Sequence, residues 1–230
     1  MLDFADAADH KPHPMSALVK ICGINSAAAA EAVLRVGAEF GGLVFFAKSP
    51  RHLSLENGAA LASLLRGKLK LVALVVDEDD AALARIAKQI RPDFFQLHGK
   101  ETPSRAADIR ARFQIPVIKA LAIADKDDLN QISAYEPVAD MLMFDAKAPE
   151  SATRPGGHGA AFDWQMLKGI RLSRPWFLAG GLHPGNVGRA IAVSGAPMVD
   201  VSSGVESAPG VKSESLIGDF VVTAHQQVAA

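Results

Sequence analysis

The segment Leu18-Val19-Lys20-Ile21-Cys22-Gly23-Ile24 is an apolar run that ends at the only cysteine of the chain, and the fold is predicted outward from it. A short apolar run that stops at glycine, with a helical pattern just beyond, is typical of a buried parallel β-strand. Such folds carry their chemistry at the carboxyl ends of the strands. Cys22 is therefore the first candidate functional residue.

The same unit, an apolar run followed by a polar turn and a helical stretch, recurs along the chain. Further apolar runs occupy residues 41–46, 70–76, 93–97, 116–120, 140–144, 176–179 and 198–201. Helices are predicted over 27–35, 55–66, 81–90, from 103 onward, and over 125–134, 163–169, 184–193 and 213–225. Asn25 or Ser26 is the expected cap of the first helix, and Thr102 with Pro103 begins the fourth.

Eight strand-then-helix units predict an α/β fold, a single-domain (β/α)8 TIM barrel, because parallel strands need crossover helices. An open doubly wound sheet is the alternative. That fold needs a glycine-rich phosphate fingerprint after its first strand, and the chain has only Cys22-Gly23-Ile24-Asn25 there. We expect the barrel to span residues 16–230. Residues 1–15 form an N-terminal extension that lacks the basic flank and continuous apolar segment of a secretory signal.

Composition favours small molecules as partners. The 24 basic and 25 acidic side chains leave a formal charge of −1, which does not favour nucleic acid or anionic lipid as a partner. A lone cysteine excludes an intramolecular disulfide, and no Cys/His cluster has zinc-ligand spacing, which fits a reducing cytoplasm and a site without metal. No apolar run approaches the roughly 20 residues of a membrane span. Oligomeric state and protein partners are not predicted.

In a barrel, polar residues just past the strand ends converge on one face. These residues are Cys22, Arg51, Asp77, His98, Lys119, Asp145, Gly180, Gly181, Ser202, Ser203 and Gly204. The glycine and serine segments follow strands seven and eight, where barrels often hold phosphate on backbone N–H groups. The alternative is that these glycines only make tight turns.

Cys22 and Asp145 are the candidates for acid–base chemistry. A free thiol is mostly protonated at neutral pH, and Lys20, on the same side of the strand, could lower the pKa of Cys22. The alternative for Cys22 is a small apolar core residue. Asp145 ends an apolar strand, where a buried carboxylate needs a role or a partner. Its alternative is a salt bridge to Lys147 or Lys20.

Arg51 follows strand two, and its guanidinium could grip a substrate carboxylate, unless it is simply exposed. His98 is assigned to the pocket rim or to a structural hydrogen bond. Asp77 and Lys119 are expected in the pocket wall, most plausibly as an internal ion pair or a helix cap.

Seven segments together resemble the phosphoribosylanthranilate isomerase family of tryptophan biosynthesis. They are Lys20-Ile21-Cys22-Gly23-Ile24, Lys48-Ser49-Pro50-Arg51, Gln96-Leu97-His98-Gly99, Phe144-Asp145-Ala146-Lys147, Gly156-Gly157-His158-Gly159 with Phe162-Asp163-Trp164, Ala179-Gly180-Gly181-Leu182 with Pro184-Asn186-Val187, and Asp200-Val201-Ser202-Ser203-Gly204-Val205-Glu206. The resemblance implies a barrel that converts N-(5-phosphoribosyl)anthranilate to 1-(2-carboxyphenylamino)-1-deoxyribulose 5-phosphate by an Amadori rearrangement, without metal or organic cofactor.

The resemblance also implies roles for individual residues. Cys22 matches the family's general base and Asp145 its general acid, and Arg51 matches the residue that meets the anthranilate carboxylate. His98 is placed among the substrate-binding residues. The backbone that surrounds the phosphate matches Gly157, Gly159, Gly180, Gly181, Ser203 and Gly204. The glycine-rich loop after strand six resembles a lid, in which His158 and Ala160-Ala161 depart from the family's usual residues.

Two rival functions belong to other classes. A related barrel enzyme, such as indole-glycerol-phosphate synthase or the histidine-pathway sugar isomerase, would keep the phosphate end with different acid–base residues, and Cys22 argues against both. A non-catalytic phosphate-binding barrel is the second rival, which only turnover distinguishes.

Overall fold

The computed structural model describes residues 16–147 and 161–227 of the 230-residue chain. Eight parallel strands close into a barrel in the order of the sequence, and β8 pairs with β1 through Lys20 opposite Asp200. The strands are β1 Leu18–Cys22, β2 Phe40–Val44, β3 Lys70–Val75, β4 Phe94–Leu97, β5 Val117–Ile123, β6 Met141–Ala146, β7 Trp176–Leu178 and β8 Met198–Val201. The predicted (β/α)8 barrel is confirmed, and the open-sheet alternative is excluded.

Helices connect the strands. They are α1 Ala27–Arg35, α2 Leu55–Leu65, α3 Asp80–Ile90, α4 Pro103–Phe113, α5 Ile132–Tyr135, α6 Val187–Ser194 and α7 Glu214–His225. Ser26 caps α1 by accepting a hydrogen bond from the backbone N–H of Ala29, and Thr102 caps α4 in the same way, with Pro103 in the first turn. Side-chain oxygens thus satisfy N–H groups that have no partner inside a helix.

Two crossovers differ from the predicted helices. The segment expected as a helix over 125–134 is a 3₁₀ helix, Asp127–Gln131, followed by the single turn α5, and residues 163–169 contain only a 3₁₀ helix, Trp164–Leu167. In the first case the Asp128 carboxylate accepts from Ala124 N at 2.8 Å, and Asp125 accepts from Asp127 N at 3.0 Å. Aspartate side chains that bond the local backbone compete with the helical pattern, which explains the shorter element.

A short hairpin, β9 Glu206–Ala208 and β10 Val211–Lys212, follows β8 and was not predicted. Its strands are too short to show a period-2 pattern. The hairpin nevertheless matters for the site, because it brings Glu206 and Lys212 beside residues that follow β1 and β2.

The barrel interior is filled from alternate strand positions, as the two-residue period of a strand requires. The inner layer is apolar and consists of Phe40, Val72, Phe94, Ile118, Ala120, Met141, Met143, Phe177, Ala179 and Met198. A separate outer cluster packs the strands against the helices. Among the described strand residues, the buried polar side chains on the inner face are Lys20, Gln96, Asp145 and Asp200.

Several expectations fall outside the described residues. The N-terminal extension, residues 1–15, and the candidate phosphate or lid residues Gly157, His158, Gly159 and Ala160 belong to the segments that are not described. Of the helices in the described part of the chain, none has both the length and the apolar character of a bilayer span. Within those same residues, no three His, Cys, Asp or Glu side chains form a group suited to a metal ion.

Candidate active site

Cys22 and Asp145 lie at the carboxyl-terminal mouth of the barrel. Cys22 is the last residue of β1, and Asp145 is the last but one of β6, and both are buried. Because β7 and β8 stand between these strands in the closed barrel, the two side chains approach the mouth from different sides. Parallel strands deliver both groups to the same end of the molecule.

The surroundings of Cys22 are charged. Lys20 is fully buried, and its Nζ donates to Asp200 Oδ1 at 2.7 Å. Burial raises the pKa of the Cys22 thiol, and the nearby Lys20 and Lys212 ammonium groups only partly oppose it. Lys20 does act to lower this pKa, as expected, but the net direction is upward because loss of hydration outweighs the attraction.

Lys20 itself stays charged inside the barrel. Burial lowers the pKa of Lys20, but the Asp200 carboxylate and Cys22 together outweigh that effect, and the net direction is upward. The sequence left open whether Lys20 pairs with Asp145. In the structure its carboxylate partner is Asp200 on the adjacent strand.

Replacing Lys20 by methionine is expected to lower the free energy of unfolding by about 3–5 kcal/mol, because Asp200 is left buried without its counter-charge. Chemical denaturation at neutral pH measures the change. The exposed Lys68, replaced by methionine in the same way, is the control and should change stability by less than about 0.5 kcal/mol. The double variant Lys20→Met with Asp200→Leu should recover part of the loss, and a Lys20→Met protein as stable as the control contradicts the argument.

Asp145 is bonded to a histidine rather than to a lysine. Its Oδ2 lies 3.1 Å from His98 Nε2, and its Oδ1 accepts from Ala146 N at 2.9 Å. Lys147, one of the two proposed ion-pair partners, bonds Asp128 instead, at 3.4 Å. The salt bridge to Lys147 or Lys20 is therefore not formed. His98, expected at the pocket rim or in a structural hydrogen bond, makes a hydrogen bond to the candidate acid.

Arg51 is buried in a fork with Glu206. Its Nε and Nη2 donate to the two carboxylate oxygens of Glu206 at 2.6 and 2.8 Å, and Lys212 Nζ adds a third contact at 2.9 Å. The alternative of a solvent-exposed arginine is wrong. Within the described segments, the hydrogen bonds of the Arg51 guanidinium use two of its five N–H donors, which leaves the other donors for a second carboxylate.

The Arg51–Glu206–Lys212 network predicts that the folded protein loses stability as the pH falls. Burial raises the pKa of Glu206, but the hydrogen bonds from Arg51 and the charge of Lys212 outweigh it and lower the pKa from 4.5 to about 2. A carboxyl with a depressed pKa stabilises the fold above its unfolded pKa, and the contribution is lost as pH falls from about 4.5 toward 2. We expect a loss of about 3 kcal/mol over this window.

Urea unfolding of the wild type and of Glu206→Gln at several pH values between 2 and 7 measures this contribution. The wild type should be the more stable protein at pH 7, and the difference should shrink as pH falls. Parallel stability profiles for the two proteins would contradict the assignment of this window to Glu206.

The candidate phosphate residues lie close together. Gly180 and Gly181 follow β7 with φ of +86° and +65°, and Ser203 and Gly204 begin the 3₁₀ helix after β8. A Cβ on Gly204 would lie 1.9 Å from Leu182 O, so this close approach of the two loops requires glycine. Among the described residues, none accepts a backbone hydrogen bond from Gly180 N or Gly181 N. These N–H groups are suited to bind an anion.

Lys119 and Asp77 do not line the mouth as pocket wall. Because β5 continues to Ile123, Lys119 lies inside the strand on its outer face, where Nζ donates to Glu101 Oε2 and to Gly99 O, each at 2.7 Å. The expectation of an internal ion pair is confirmed for Lys119. Asp77, with φ of +52°, accepts from Lys100 N at 2.7 Å. Both residues hold the loop that carries His98.

Four residues of this site were missed as candidates, namely Gln96, Asp200, Glu206 and Lys212. Gln96 and Asp200 carried a usable signal, since each is a polar residue inside an apolar strand, the same signal that singled out Asp145. Glu206 and Lys212 carried none, because only the hairpin brings them to Arg51.

A closed parallel barrel with a thiol, a carboxyl and basic side chains gathered at its carboxyl-terminal mouth has the architecture of the (β/α)8-barrel enzymes. Comparison with known proteins narrows this class. Residues 19–223 match the family described as N-(5'phosphoribosyl)anthranilate (PRA) isomerase. The chain belongs to this family.

Relatives and solved structures agree with that assignment. The N-(5'-phosphoribosyl)anthranilate isomerase of Rhodopseudomonas palustris (strain BisA53) is 52% identical over 203 residues, covering 88% of this chain and 93% of the relative. That of Paracoccus denitrificans is 49% identical over 210 residues, covering 91% and 98%. The crystal structure of phosphoribosyl anthranilate isomerase from Thermotoga maritima superposes with a TM-score of 0.82 at 34% identity, over 90% of this chain and 98% of that one. The chain is thus an isomerase of tryptophan biosynthesis.

Proposed function

We propose that Cys22 is the general base and Asp145 the general acid of an Amadori rearrangement of N-(5'-phosphoribosyl)anthranilate. The observation that carries this assignment is the placement of both side chains at one mouth of the barrel, on strands separated by β7 and β8. A furanose held between them meets a carboxyl on one side and a sulfur on the other. The proposed steps are proton transfers that need no metal or organic cofactor.

In the first step, protonated Asp145 gives its proton to the ribose ring oxygen while the bond from that oxygen to C1′ breaks. The anthranilate nitrogen supplies the electron pair for the new C1′=N bond, which makes a cationic Schiff base. In the second step, the Cys22 thiolate removes the proton from C2′, and the electron pair of that C–H bond neutralises the nitrogen and gives an enolamine. Ketonisation then moves a proton from the C2′ hydroxyl to C1′ and completes the isomerisation.

The charges around Cys22 favour the thiolate needed for the second step only when substrate is bound. Burial raises the pKa of the Cys22 thiol, whereas Lys20 and Lys212 favour the thiolate. A cationic Schiff base beside the sulfur adds a further positive charge at the moment when the thiolate is needed. The thiolate is therefore favoured most strongly in the complex that it acts upon.

Arg51 and the two glycine segments complete the proposed binding site. The guanidinium donors that Glu206 does not use can hold the anthranilate carboxylate, and Glu206 fixes the plane of the guanidinium for that contact. The N–H groups of Gly180 and Gly181, with Ser203 and Gly204, can hold the phosphate. Gly157 and Gly159 are also proposed to contact the phosphate, on the ground of the family resemblance. A related structure holds reduced 1-(o-carboxyphenylamino)-1-deoxyribulose 5-phosphate and is 31% identical, with a TM-score of 0.77.

We further propose the cytoplasm as the location, which the lone buried thiol supports.

Turnover by the purified protein tests the proposal. The anthranilate adduct is a fluorophore, so isomerisation is followed as a substrate-dependent loss of its fluorescence and confirmed by identifying the ketose product. Saturable loss with formation of the product supports the proposal. Binding of the adduct without loss of fluorescence would instead identify a non-catalytic phosphate-binding barrel.

A further inference from the structure

A fully buried amide lies behind the candidate acid. Gln96 is on β4, 0% exposed, and its Nε2 lies 2.8 Å from Nδ1 of His98. The other ring nitrogen of His98, Nε2, lies 3.1 Å from Asp145 Oδ2. Gln96, His98 and Asp145 therefore form a continuous line of hydrogen bonds from the barrel interior to its mouth.

The orientation of the Gln96 amide determines where the proton of His98 lies. A carboxamide nitrogen can only donate, so Nδ1 of His98 must accept from Gln96 and carry no proton. The ring proton of neutral His98 is then on Nε2 and is donated to Asp145 Oδ2. In this orientation Oδ2 of Asp145 is an acceptor, as it is in the carboxylate that remains after the ribose oxygen has been protonated.

A second proton conflicts with this amide orientation only when it puts a proton on Nδ1 of His98. With two protons, His98 is an imidazolium, or Asp145 is a carboxylic acid that donates to Nε2, or Asp145 carries its proton on Oδ1 while Oδ2 still accepts from Nε2. In the first two arrangements Nδ1 carries a proton. Two donors would then face each other at the Gln96–His98 contact. Rotation of the amide by half a turn resolves the conflict, because Oε1 then accepts from Nδ1.

The Gln96 amide is only partly satisfied within the described part of the chain. Gln96 Oε1 is buried and has no hydrogen-bond partner among the described residues. An unsatisfied buried acceptor is costly, and Nε2 gains only a weak additional contact, with Met143 Sδ at 3.3 Å. The amide thus has one orientation that matches a bare Nδ1 and one that matches a protonated Nδ1, and neither orientation satisfies both of its ends.

Other charged groups do not compete for His98. The inward side chains beside Gln96 are apolar, namely Leu74 on β3, Ile118 on β5 and Met143 on β6. Asp77, in the loop after β3, accepts from Lys100 N, and the Lys119–Glu101 pair lies on the outer face of β5. Asp145 and Gln96 are the side chains that His98 bonds among the described residues.

We propose that Gln96 is a positioning residue for the isomerisation, whose amide donates to His98 Nδ1 and so keeps the ring proton on Nε2, facing Asp145, and accepts from Nδ1 only when Nδ1 is protonated. The proposal rests on the proposed role of Asp145 as the general acid. In the observed orientation, Gln96 holds His98 as a donor to the Asp145 carboxylate, which stabilises the carboxylate that forms as the proton leaves.

The protonated ring nitrogen of His98 is the decisive readout, and long-range ¹H–¹⁵N NMR of ¹⁵N-labelled protein measures it at a pH where the ring is neutral. Signals of His98 are identified by their loss in His98→Asn. In the wild type we expect the proton on Nε2. In Gln96→Met, which has neither amide donor nor acceptor, Asp145 Oδ2 still accepts from Nε2, so we expect the proton to stay mainly on Nε2 with a detectable Nδ1 tautomer. In Gln96→Glu, which can only accept when ionised, we expect a proton on Nδ1.

Met143→Leu is the matched control, because Met143 Sδ lies 3.3 Å from Gln96 Nε2 and makes no hydrogen bond to His98 in the described part of the chain, so it should keep the wild-type tautomer. Kinetics provide a second readout. Gln96→Met is expected to lower kcat roughly tenfold while KM changes less than about twofold, since ground-state contacts to substrate are kept. If Gln96 only filled space, replacing it would leave the tautomer of His98 unchanged.

A wild-type His98 with its proton on Nδ1 overturns the proposal even if no Gln96 variant folds. So does a Gln96→Met protein with the wild-type tautomer and wild-type kcat. Asp145→Asn separates this outcome from failure of the proposed function. If Asp145→Asn is inactive and Gln96→Met behaves as wild type, only the role of Gln96 is refuted. If Asp145→Asn is fully active, the role of Asp145 as the acid is refuted.

Discussion

Asp145→Asn is expected to lower kcat by roughly 10²- to 10⁴-fold, the contribution that a positioned general acid usually makes. Asparagine has nearly the same shape and keeps an oxygen that accepts from His98 Nε2, but it has no proton to give to the ribose oxygen. Ring opening then depends on water. KM should change little, because the carboxylate and phosphate contacts of the substrate do not involve Asp145. Loss of fluorescence of the anthranilate adduct measures both constants.

Asp219→Asn is the matched control for this variant. Asp219 is an exposed carboxylate on α7, and the same substitution there should leave kcat unchanged. Thermal unfolding of both variants shows whether the barrel is intact. An Asp145→Asn protein that is folded and retains wild-type kcat would refute the acid role, and an equal loss in both variants would show a general effect of the substitution.

Cys22→Ser is expected to lower kcat by a similar factor, roughly 10²- to 10⁴-fold. Serine is almost the size of cysteine, yet a hydroxyl ionises far less readily than a thiol, so it is a poor base for the C2′ proton. The ammonium groups of Lys20 and Lys212, which favour a thiolate, cannot make up that difference. Cys22→Ala should lose at least as much activity, because it has no proton acceptor at all.

Binding distinguishes loss of the base from loss of the site. Reduced 1-(o-carboxyphenylamino)-1-deoxyribulose 5-phosphate should bind both Cys22 variants with nearly the wild-type Kd by calorimetry, since Arg51 and the glycine segments are unchanged. If the variants turn over substrate at wild-type rates, Cys22 is not the base. If they neither bind the analogue nor unfold cooperatively, their inactivity is structural, and the base role loses its support from this experiment.

The sequence predicted the fold more completely than it predicted the contacts of the site. Strand and helix positions follow from local signals, such as the apolar run at 18–22, the cap at Ser26 and the proline at 103. The errors occur where a local interaction is weak or competes with another. At Asp125 and Asp128 the side chains bond the backbone and shorten the predicted helix.

In the site as well, local signals in the sequence were informative and long-range contacts were not. Cys22, Asp145 and Arg51 were identified because they are polar or reactive residues at strand ends. Their partners were identified poorly. Lys20 was considered for Asp145 but pairs with Asp200, and Arg51 was considered exposed or free for substrate but is buried against Glu206. A pairing across 155 or 180 positions of sequence leaves no local pattern.

By itself, the sequence determined that this chain is a (β/α)8 barrel with its chemistry at the strand ends, because hydrophobic period and turn residues are encoded within a few neighbouring positions. Only the tertiary structure decided which charges meet, how burial changes the pKa of Cys22, and that Gln96 and His98 stand behind Asp145. Those properties depend on which strands become neighbours when the barrel closes and on how much water is then excluded, and neither is a property of any single segment.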